Sequence, residues 1–138
     1  MRDLLIATGN KGKLKEIVSI MQDVPFRVLS LDDVGLSSIE EPAETLEGNA
    51  LIKAFTYGKH AGMLTLADDT GLEVDALNGG PGVRTARYAE GGDDVRNEKL
   101  LRELADVSDD RRGARFRTVA AIYDPSTDKV RTFEGECV

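Results

Sequence analysis

The sequence predicts a domain in which short strands alternate with amphipathic helices. A strand-length apolar run opens the chain at 4–7, apolar residues recur at helical spacing over 14–21, and a second helical pattern over 45–61 precedes another apolar run at 64–67. Spacing of i, i+3, i+4 and i+7 marks one face of a helix, whereas short continuous runs mark buried strands. At 138 residues the chain is long enough for a hydrophobic core, so we expect a single domain over 1–138.

The composition excludes several classes of partner. Hydrophobic residues make up 41% of the chain and charged residues 31%, and the net charge is −7. An acidic chain lacks the basic surface that nucleic acids and anionic membranes attract, so we expect neither as a partner. Cys137 is the single cysteine, which excludes an internal disulfide and suits a reducing compartment. With no apolar run of transmembrane length, we expect a cytoplasmic protein.

A turn-rich hexapeptide, 8–13, follows the first apolar run and precedes the first helix. Strand, glycine-rich turn and helix form a geometry that directs backbone N–H groups and the helix dipole at an anion. Lys11 and Lys13 add full positive charges, so the segment predicts a phosphate site. The alternative is an ordinary turn whose lysines are solvated. The spacing differs from the G-x-x-x-x-G-K-[ST] of a P-loop, and we predict no P-loop on that basis.

Two adjacent carboxylates, Asp68 and Asp69, follow the apolar run at 64–67. Like charges this close repel each other, and a divalent cation with a preference for oxygen ligands would remove that cost. Neighbouring residues of a strand point to opposite faces, so both carboxylates could reach one metal only if the strand ends there. Gly71 favours such an end. We therefore expect a magnesium site at a strand end.

A second acidic cluster contains Glu40 and Glu41 and precedes the helix at 45–61. Carboxylates are favourable near a helix N-terminus, and the alternative is that one of the two completes the metal site. Within the helix, an apolar stripe is expected at residues 51, 54, 55 and 58. Lys53 shares a different face with Asn49, where it either faces solvent or points at the same anion as the hexapeptide.

The rest of the chain predicts ordinary connecting elements. We expect a strand at 26–29, a flexible turn at 78–82, a helix capped by Asp94, and a hairpin of strands at 116–123 and 129–134. An unpaired strand edge after 129–134 favours dimerisation. His60 is the only histidine and, near a helix end, is expected to face water; we predict no zinc site.

Four segments in collinear order resemble the inosine/xanthosine triphosphate pyrophosphatase family, whose members remove non-standard purine nucleoside triphosphates. They are Ala-Thr-Gly-Asn-Lys-Gly-Lys (7–13), Thr-Leu-Glu-Gly-Asn-Ala-Leu-Ile-Lys-Ala (45–54), Ala-Asp-Asp-Thr-Gly-Leu-Glu-Val-Asp-Ala-Leu (67–77) and Gly-Pro-Gly-Val-Arg-Thr-Ala-Arg-Tyr (80–88). The resemblance implies an α/β fold with a mixed central β-sheet, flanking helices and a substrate cleft. It also implies a homodimer.

The same resemblance implies Mg²⁺-dependent hydrolysis of ITP, dITP or XTP to the monophosphate and pyrophosphate. Asp69 matches the family's catalytic proton acceptor and metal ligand, and Glu40 matches the second metal carboxylate, with Glu41 as the fallback. The substrate-binding residues that the resemblance implies are Thr8, Gly9, Asn10, Lys11, Gly12, Lys13, Lys53, Asp68 and Thr70.

Two alternatives to this activity stay open. The family pattern continues with a Phe-Gly-Tyr-Asp segment and a later Ser-His-Arg-Gly segment, which help to bind the base and the phosphates, whereas this sequence ends at Val138. We therefore expect a domain that lacks the family's C-terminal segment, and a phosphate-binding or dimerising remnant without turnover is the first alternative. The second is an aspartic protease, since residues 69–71 read Asp-Thr-Gly.

Overall fold

The computed structural model describes residues 1–37, 39, 43–85, 88–90 and 92–138. They divide into two compact units. The first contains Met1–Asp69 and Val119–Phe133, and the second contains Thr70–Thr118 and Glu134–Val138. No described helix combines the length and the apolar character that crossing a bilayer requires.

The described elements alternate along the chain much as the sequence predicts. The strands are β1 (Arg2–Ile6), β2 (Phe26–Ser30), β3 (Leu64–Val74), β4 (Gly80–Gly82), β5 (Ala114–Asp124) and β6 (Lys129–Cys137). The α-helices are α1 (Lys11–Ile20), α2 (Leu46–Ala61) and α3 (Asp93–Glu103). Single turns of 3₁₀-helix occur at Asp32–Val34, Asp75–Leu77 and Asp109–Arg111.

The strands form one mixed sheet. Hydrogen-bonded neighbours follow the order β2-β1-β3-β5-β6, and β4 pairs with β3. β1 is parallel to both of its neighbours, with Leu4 opposite Val28 on one side and Leu64 on the other. β4 is antiparallel to β3, and the four residues between β5 and β6 make these strands a hairpin. The predicted α/β class, with a mixed sheet and helices, is confirmed; the substrate cleft and the single domain stay predictions.

Apolar residues of β1, α2 and β5 form the core of the first unit. Its buried apolar side chains include Leu4, Leu5, Ile6, Leu46, Ala50, Ala54, Val119, Ala121 and Tyr123. The side chain of Thr45 caps α2 by accepting a hydrogen bond from Gly48 N, and Gly62 ends the helix in the left-handed region at φ 66°. The helix at 45–61 is therefore confirmed to within one residue.

The apolar stripe that we predicted for α2 is wrong in part. Leu51 and Phe55 are more than one third exposed, whereas Asn49 and Lys53 are buried. The helix turns these two polar side chains inward because each has a hydrogen-bonding partner inside the first unit. Periodicity of apolar residues alone cannot detect a buried polar face of this kind.

The strand end that we predicted at the two aspartates is also wrong. β3 runs without a break through Asp68 and Asp69 to Val74. Its parallel pairing with β1 stops at Leu66, but a second partner continues beyond that point. The neighbouring strand β5 is that partner, and in the second unit Asp75 N donates to Gly113 O, just before β5, at 2.9 Å. The aspartates therefore lie where β1 ends, not where β3 ends.

Ion pairs and a close backbone approach organise the second unit. Arg115 and Arg117 bind the two carboxylate oxygens of Glu73, and hydrogen bonding from Arg115 holds the pKa of Glu73 below its usual range. Gly80–Gly82 forms a strand, so the flexible turn that we predicted there is wrong for these residues. Gly71 lies directly against the Gly82 backbone, which leaves no room for a side chain.

Candidate active site around Asp68 and Asp69

The predicted phosphate segment connects β1 to α1. Helix α1 begins at Lys11, so half of the predicted loop is the first helical turn. Asn10 caps this helix: its side-chain oxygen accepts a hydrogen bond from Lys13 N at 3.1 Å. Thr8 Oγ1 in turn accepts from Asn10 N at 3.1 Å. The N–H groups of the first turn and the positive end of the helix dipole therefore lie at this segment, as an anion site requires.

The two predicted lysines converge on Asp68. Lys13 Nζ lies 3.1 Å from Asp68 Oδ2, and Lys53 Nζ donates a hydrogen bond to the Asp68 backbone oxygen. Asp68 and Lys53 are each only 9% exposed. Lys53 thus points inward, toward the same residue as Lys13, and the solvent-facing alternative is excluded. Lys13 of α1 binds the Asp68 carboxylate and Lys53 of α2 binds the Asp68 backbone oxygen, inside the first unit.

Asp69 is held by α2, the helix that also carries Lys53. Asn49 Nδ2 donates to Asp69 Oδ2 at 3.1 Å, and the Asp69 residue is 6% exposed. Because β3 is continuous, Asp68 and Asp69 face different helices, as alternation along a strand requires. Lys13 thus pairs with the Asp68 carboxylate, and Asn49 donates to the Asp69 carboxylate.

The other predicted site residues have different positions. Gly9, Lys11 and Gly12 are exposed around the N-terminus of α1. Thr70 belongs to the second unit, where its hydroxyl shares a hydrogen bond of 2.8 Å with Thr118. Glu40 and Glu41, the expected second metal carboxylates, lie outside the described residues. The set of predicted site residues thus stays a prediction as a whole.

A magnesium ion fits the donors that are described. Carboxylate oxygens suit this hard cation, which normally binds through one or two carboxylates together with water and substrate phosphates. Asp69 supplies one such carboxylate at a position that is buried yet close to two lysines on Asp68. No group of three His, Cys, Asp or Glu side chains gathers among the described residues. Among the described residues, Asp69 is thus a carboxylate that could hold such an ion, and the magnesium site stays a prediction.

A pocket of about 300 Å³ opens beside the start of α1. Its lining includes Thr8, Gly9 and Lys11, together with Leu31, Asp32 and Leu36 from the segment after β2. The predicted phosphate segment therefore lines this pocket together with apolar and polar residues that follow β2.

Two residues that the sequence did not identify contribute to this region. Asn49 contacts Asp69, and its Oδ1 accepts a hydrogen bond from Ala43 N at 2.9 Å. The hydroxyl of Tyr57, also on α2, binds backbone groups of Ser37 and Ile39. An asparagine inside a helix is unfavourable unless its side chain has a specific partner, and that was the one signal available for Asn49.

Comparison with known proteins identifies the family of this chain. The model of the Ham1 family matches residues 4–138, which is nearly the whole chain. The chain belongs to the Ham1 family. A solved structure described as a HAM1 protein from Coxiella burnetii superposes with a TM-score of 0.89 at 33% identity, covering 99% of this chain and 71% of that one.

Curated relatives of this Ham1-family chain are named dITP/XTP pyrophosphatase. One from Haemophilus influenzae is 44% identical over 137 residues, covering 97% of this chain and 70% of the relative. One from Geobacter sulfurreducens is 46% identical over 139 residues, covering 99% of this chain and 69% of the relative. The family resemblance that the sequence indicated is therefore confirmed.

Proposed function

We propose that this Ham1-family chain is a nucleoside triphosphate pyrophosphatase that hydrolyses non-standard purine nucleotides, namely dITP, ITP and XTP. The observation that carries the proposal is the convergence of Lys13 and Lys53 on Asp68, directly beside Asp69. A triphosphate needs concentrated positive charge, and hydrolysis needs a carboxylate next to that charge. The names of the curated relatives supply the class of substrate.

Residues of α1 and α2 bind different phosphates of the substrate in this proposal. The N–H groups at the start of α1 and the Lys13 ammonium bind the β- and γ-phosphates, which leave as pyrophosphate. Lys53 stabilises the negative charge that develops around the α-phosphate in the transition state. Because Asp68 holds the Lys13 charge and its backbone accepts from Lys53, it positions both cations before the substrate binds.

Asp69 is the general base in this proposal. A water oxygen forms a bond to the α-phosphorus as the bridging oxygen between the α- and β-phosphates leaves with pyrophosphate, and the Asp69 carboxylate takes the proton of the water. Asn49 holds one oxygen of this carboxylate in place. Asp69, with Glu40 or Glu41, would hold Mg²⁺, which would supply neutralisation of the phosphate charge.

Pyrophosphate release tests this proposal. We expect the wild-type chain with Mg²⁺ to release pyrophosphate from dITP and XTP faster than from dGTP or ATP. Asp69→Asn should reduce turnover by about 10²- to 10⁴-fold, the usual contribution of a general base. Asp23→Asn is the matched control, since Asp23 is an exposed aspartate outside the cluster. Equal rates for Asp69→Asn and wild type would exclude Asp69 as the base.

Two further assays, used beside pyrophosphate release, separate the alternatives. A chain that binds dITP in equilibrium dialysis but releases no pyrophosphate would be the remnant without turnover. Peptide cleavage that is inhibited by pepstatin would indicate the aspartic protease. No contact among the described residues favours that alternative. The Asp-Thr-Gly residues lie inside the continuous strand β3, and Asn49 already occupies one Asp69 oxygen.

We also propose a cytoplasmic homodimer. Among the described strands, β6 ends the sheet order, and nearly all of its residues are exposed. A long exposed edge strand favours pairing with a second chain. Light scattering coupled to size exclusion tests this directly: a mass of two chains supports the dimer, and a mass of one chain excludes it.

A further inference from the structure

Two buried side chains of α2 bind the chain segment that precedes the helix. The Tyr57 hydroxyl donates to Ser37 O at 2.8 Å and accepts from Ile39 N at 2.7 Å. Asn49 Oδ1 accepts from Ala43 N at 2.9 Å. Ile39 and Ala43 are the described residues on either side of 40–42, so the chain is attached to α2 both before and after that acidic stretch.

Asn49 also contacts the Asp69 carboxylate. While its Oδ1 accepts from Ala43 N, its Nδ2 donates to Asp69 Oδ2 at 3.1 Å. The two partners require opposite ends of the amide, because an N–H needs an acceptor and a carboxylate needs a donor. Only one orientation of the amide satisfies both. Asn49 is fully buried, so water cannot replace either partner without cost.

We propose that Asn49 and Tyr57 are positioning residues that fix the chain on both sides of residues 40–42 relative to the Asp69 carboxylate. The expected effect of these residues on turnover rests on the function proposed above. Residues of one rigid helix, eight positions apart, hold Ile39 and Ala43, and one of them also holds Asp69. An error of about 1 Å in the placement of reacting groups can cost about 10²-fold in rate, so rigid attachment at both ends matters for turnover.

Three variants separate the parts of this arrangement. Tyr57→Phe removes only the hydroxyl and therefore the attachment at Ser37 and Ile39. Asn49→Ala removes the attachment at Ala43 and the donor to Asp69. Asn49→Asp keeps an acceptor for Ala43 N but replaces the donor with a carboxylate that faces Asp69. The matched control is Thr45→Ala, which weakens the start of the same helix by removing the cap on Gly48 N.

Backbone hydrogen exchange of the full chain, without nucleotide or metal, is the first measurement. We expect Tyr57→Phe to speed exchange at Ile39, and Asn49→Ala to speed it at Ala43, by about five- to tenfold, the effect of one lost hydrogen bond. Asn49→Asp should leave exchange at Ala43 near the wild-type rate. Unchanged exchange, the same changes in Thr45→Ala, or an equal rise in the core amides of β1 and β5 would overturn the proposal.

Kinetics on dITP is the second measurement. Tyr57→Phe should lower kcat by about tenfold and both Asn49 variants by more, with KM within about threefold of wild type; Thr45→Ala should keep wild-type kcat. A local exchange change with unaltered kcat in all three variants would overturn the proposal. If the wild-type chain itself shows no turnover, the proposed function fails. The exchange results alone then decide whether Tyr57 holds Ile39 and Asn49 holds Ala43.

Discussion

The ammonium group of Lys13 lies 3.1 Å from Asp68 Oδ2 and ties the first turn of α1 to the middle of β3. The Lys13 side chain is 32% exposed and that of Asp68 is 12% exposed, so water screens the pair only in part. Breaking such a pair leaves a poorly hydrated carboxylate, which costs more than the loss of an exposed ion pair. The pair therefore contributes to stability and holds the Lys13 ammonium group of the predicted phosphate segment in place.

Replacement of Lys13 should affect both properties. We expect Lys13→Met to lower the free energy of unfolding by about 1–2 kcal/mol and to raise KM for dITP by about tenfold. Adding Asp68→Asn should restore part of the stability, because the carboxylate that lost the Lys13 charge is gone, but should leave KM high. Urea denaturation and steady-state kinetics measure the two effects. Lys11→Met, at an exposed position, is the stability control, and equal losses there would contradict the argument.

Replacement of Lys53 should act mainly on turnover. Since its ammonium group is buried against the Asp68 backbone, we expect Lys53→Met to lower kcat by about 10²-fold or more through loss of transition-state charge stabilisation. Lys59→Met is the matched control on the same helix, because Lys59 is exposed and lies over the Phe55 ring. Initial rates of pyrophosphate release decide the point; a loss confined to KM would argue against the assigned role.

The sequence predicted the elements whose signals are local. The helix at 45–61 was predicted from apolar residues at helical spacing within its own span, and the structure places it at Leu46–Ala61. The hairpin at 116–123 and 129–134 was also predicted from local signals, because the first strand shows period-two alternation and a turn separates the two strands. Both strands are longer than predicted, at Ala114–Asp124 and Lys129–Cys137.

What the sequence could not show depends on distant partners. β3 continues through the aspartates because β5, more than forty residues later, pairs with its second half. The inward direction of Asn49 and Lys53 depends on Asp68 and Asp69 across the first unit. Local periodicity assigns the face of α2 with Leu51 and Phe55 to the core, and tertiary hydrogen bonds override it.

Glu73 should make stability depend on pH. Its pKa is lowered in the fold, chiefly by hydrogen bonding to Arg115, so its stabilising contribution is present above the unfolded pKa of about 4.3 and is lost as pH falls through the lower folded value. We expect Glu73→Gln to cost about 1 kcal/mol at pH 7, and the difference from wild type to vanish in acid.

Thermal denaturation of both chains between pH 3 and pH 7 measures this effect. Glu136→Gln is the matched control, because the Glu136 carboxylate is half-exposed and lies 3.9 Å from the Arg115 guanidinium. It should change the melting temperature little at any pH. A constant difference between Glu73→Gln and wild type across the whole range would show that packing, not charge, explains the loss.

Gly71 should tolerate no side chain, because β3 and β4 approach closely there. A Cβ at this position would lie 2.7 Å from the Gly82 carbonyl carbon, and backbone cannot move aside as a flexible side chain can. We expect Gly71→Ala to lower the free energy of unfolding by about 2–3 kcal/mol, the usual cost of forced overlap in a packed region. Gly135→Ala in β6 is the control, since a Cβ there meets no atom within 4 Å. Urea denaturation should separate the two variants clearly, and similar midpoints would show that β4 moves away from β3 at little cost.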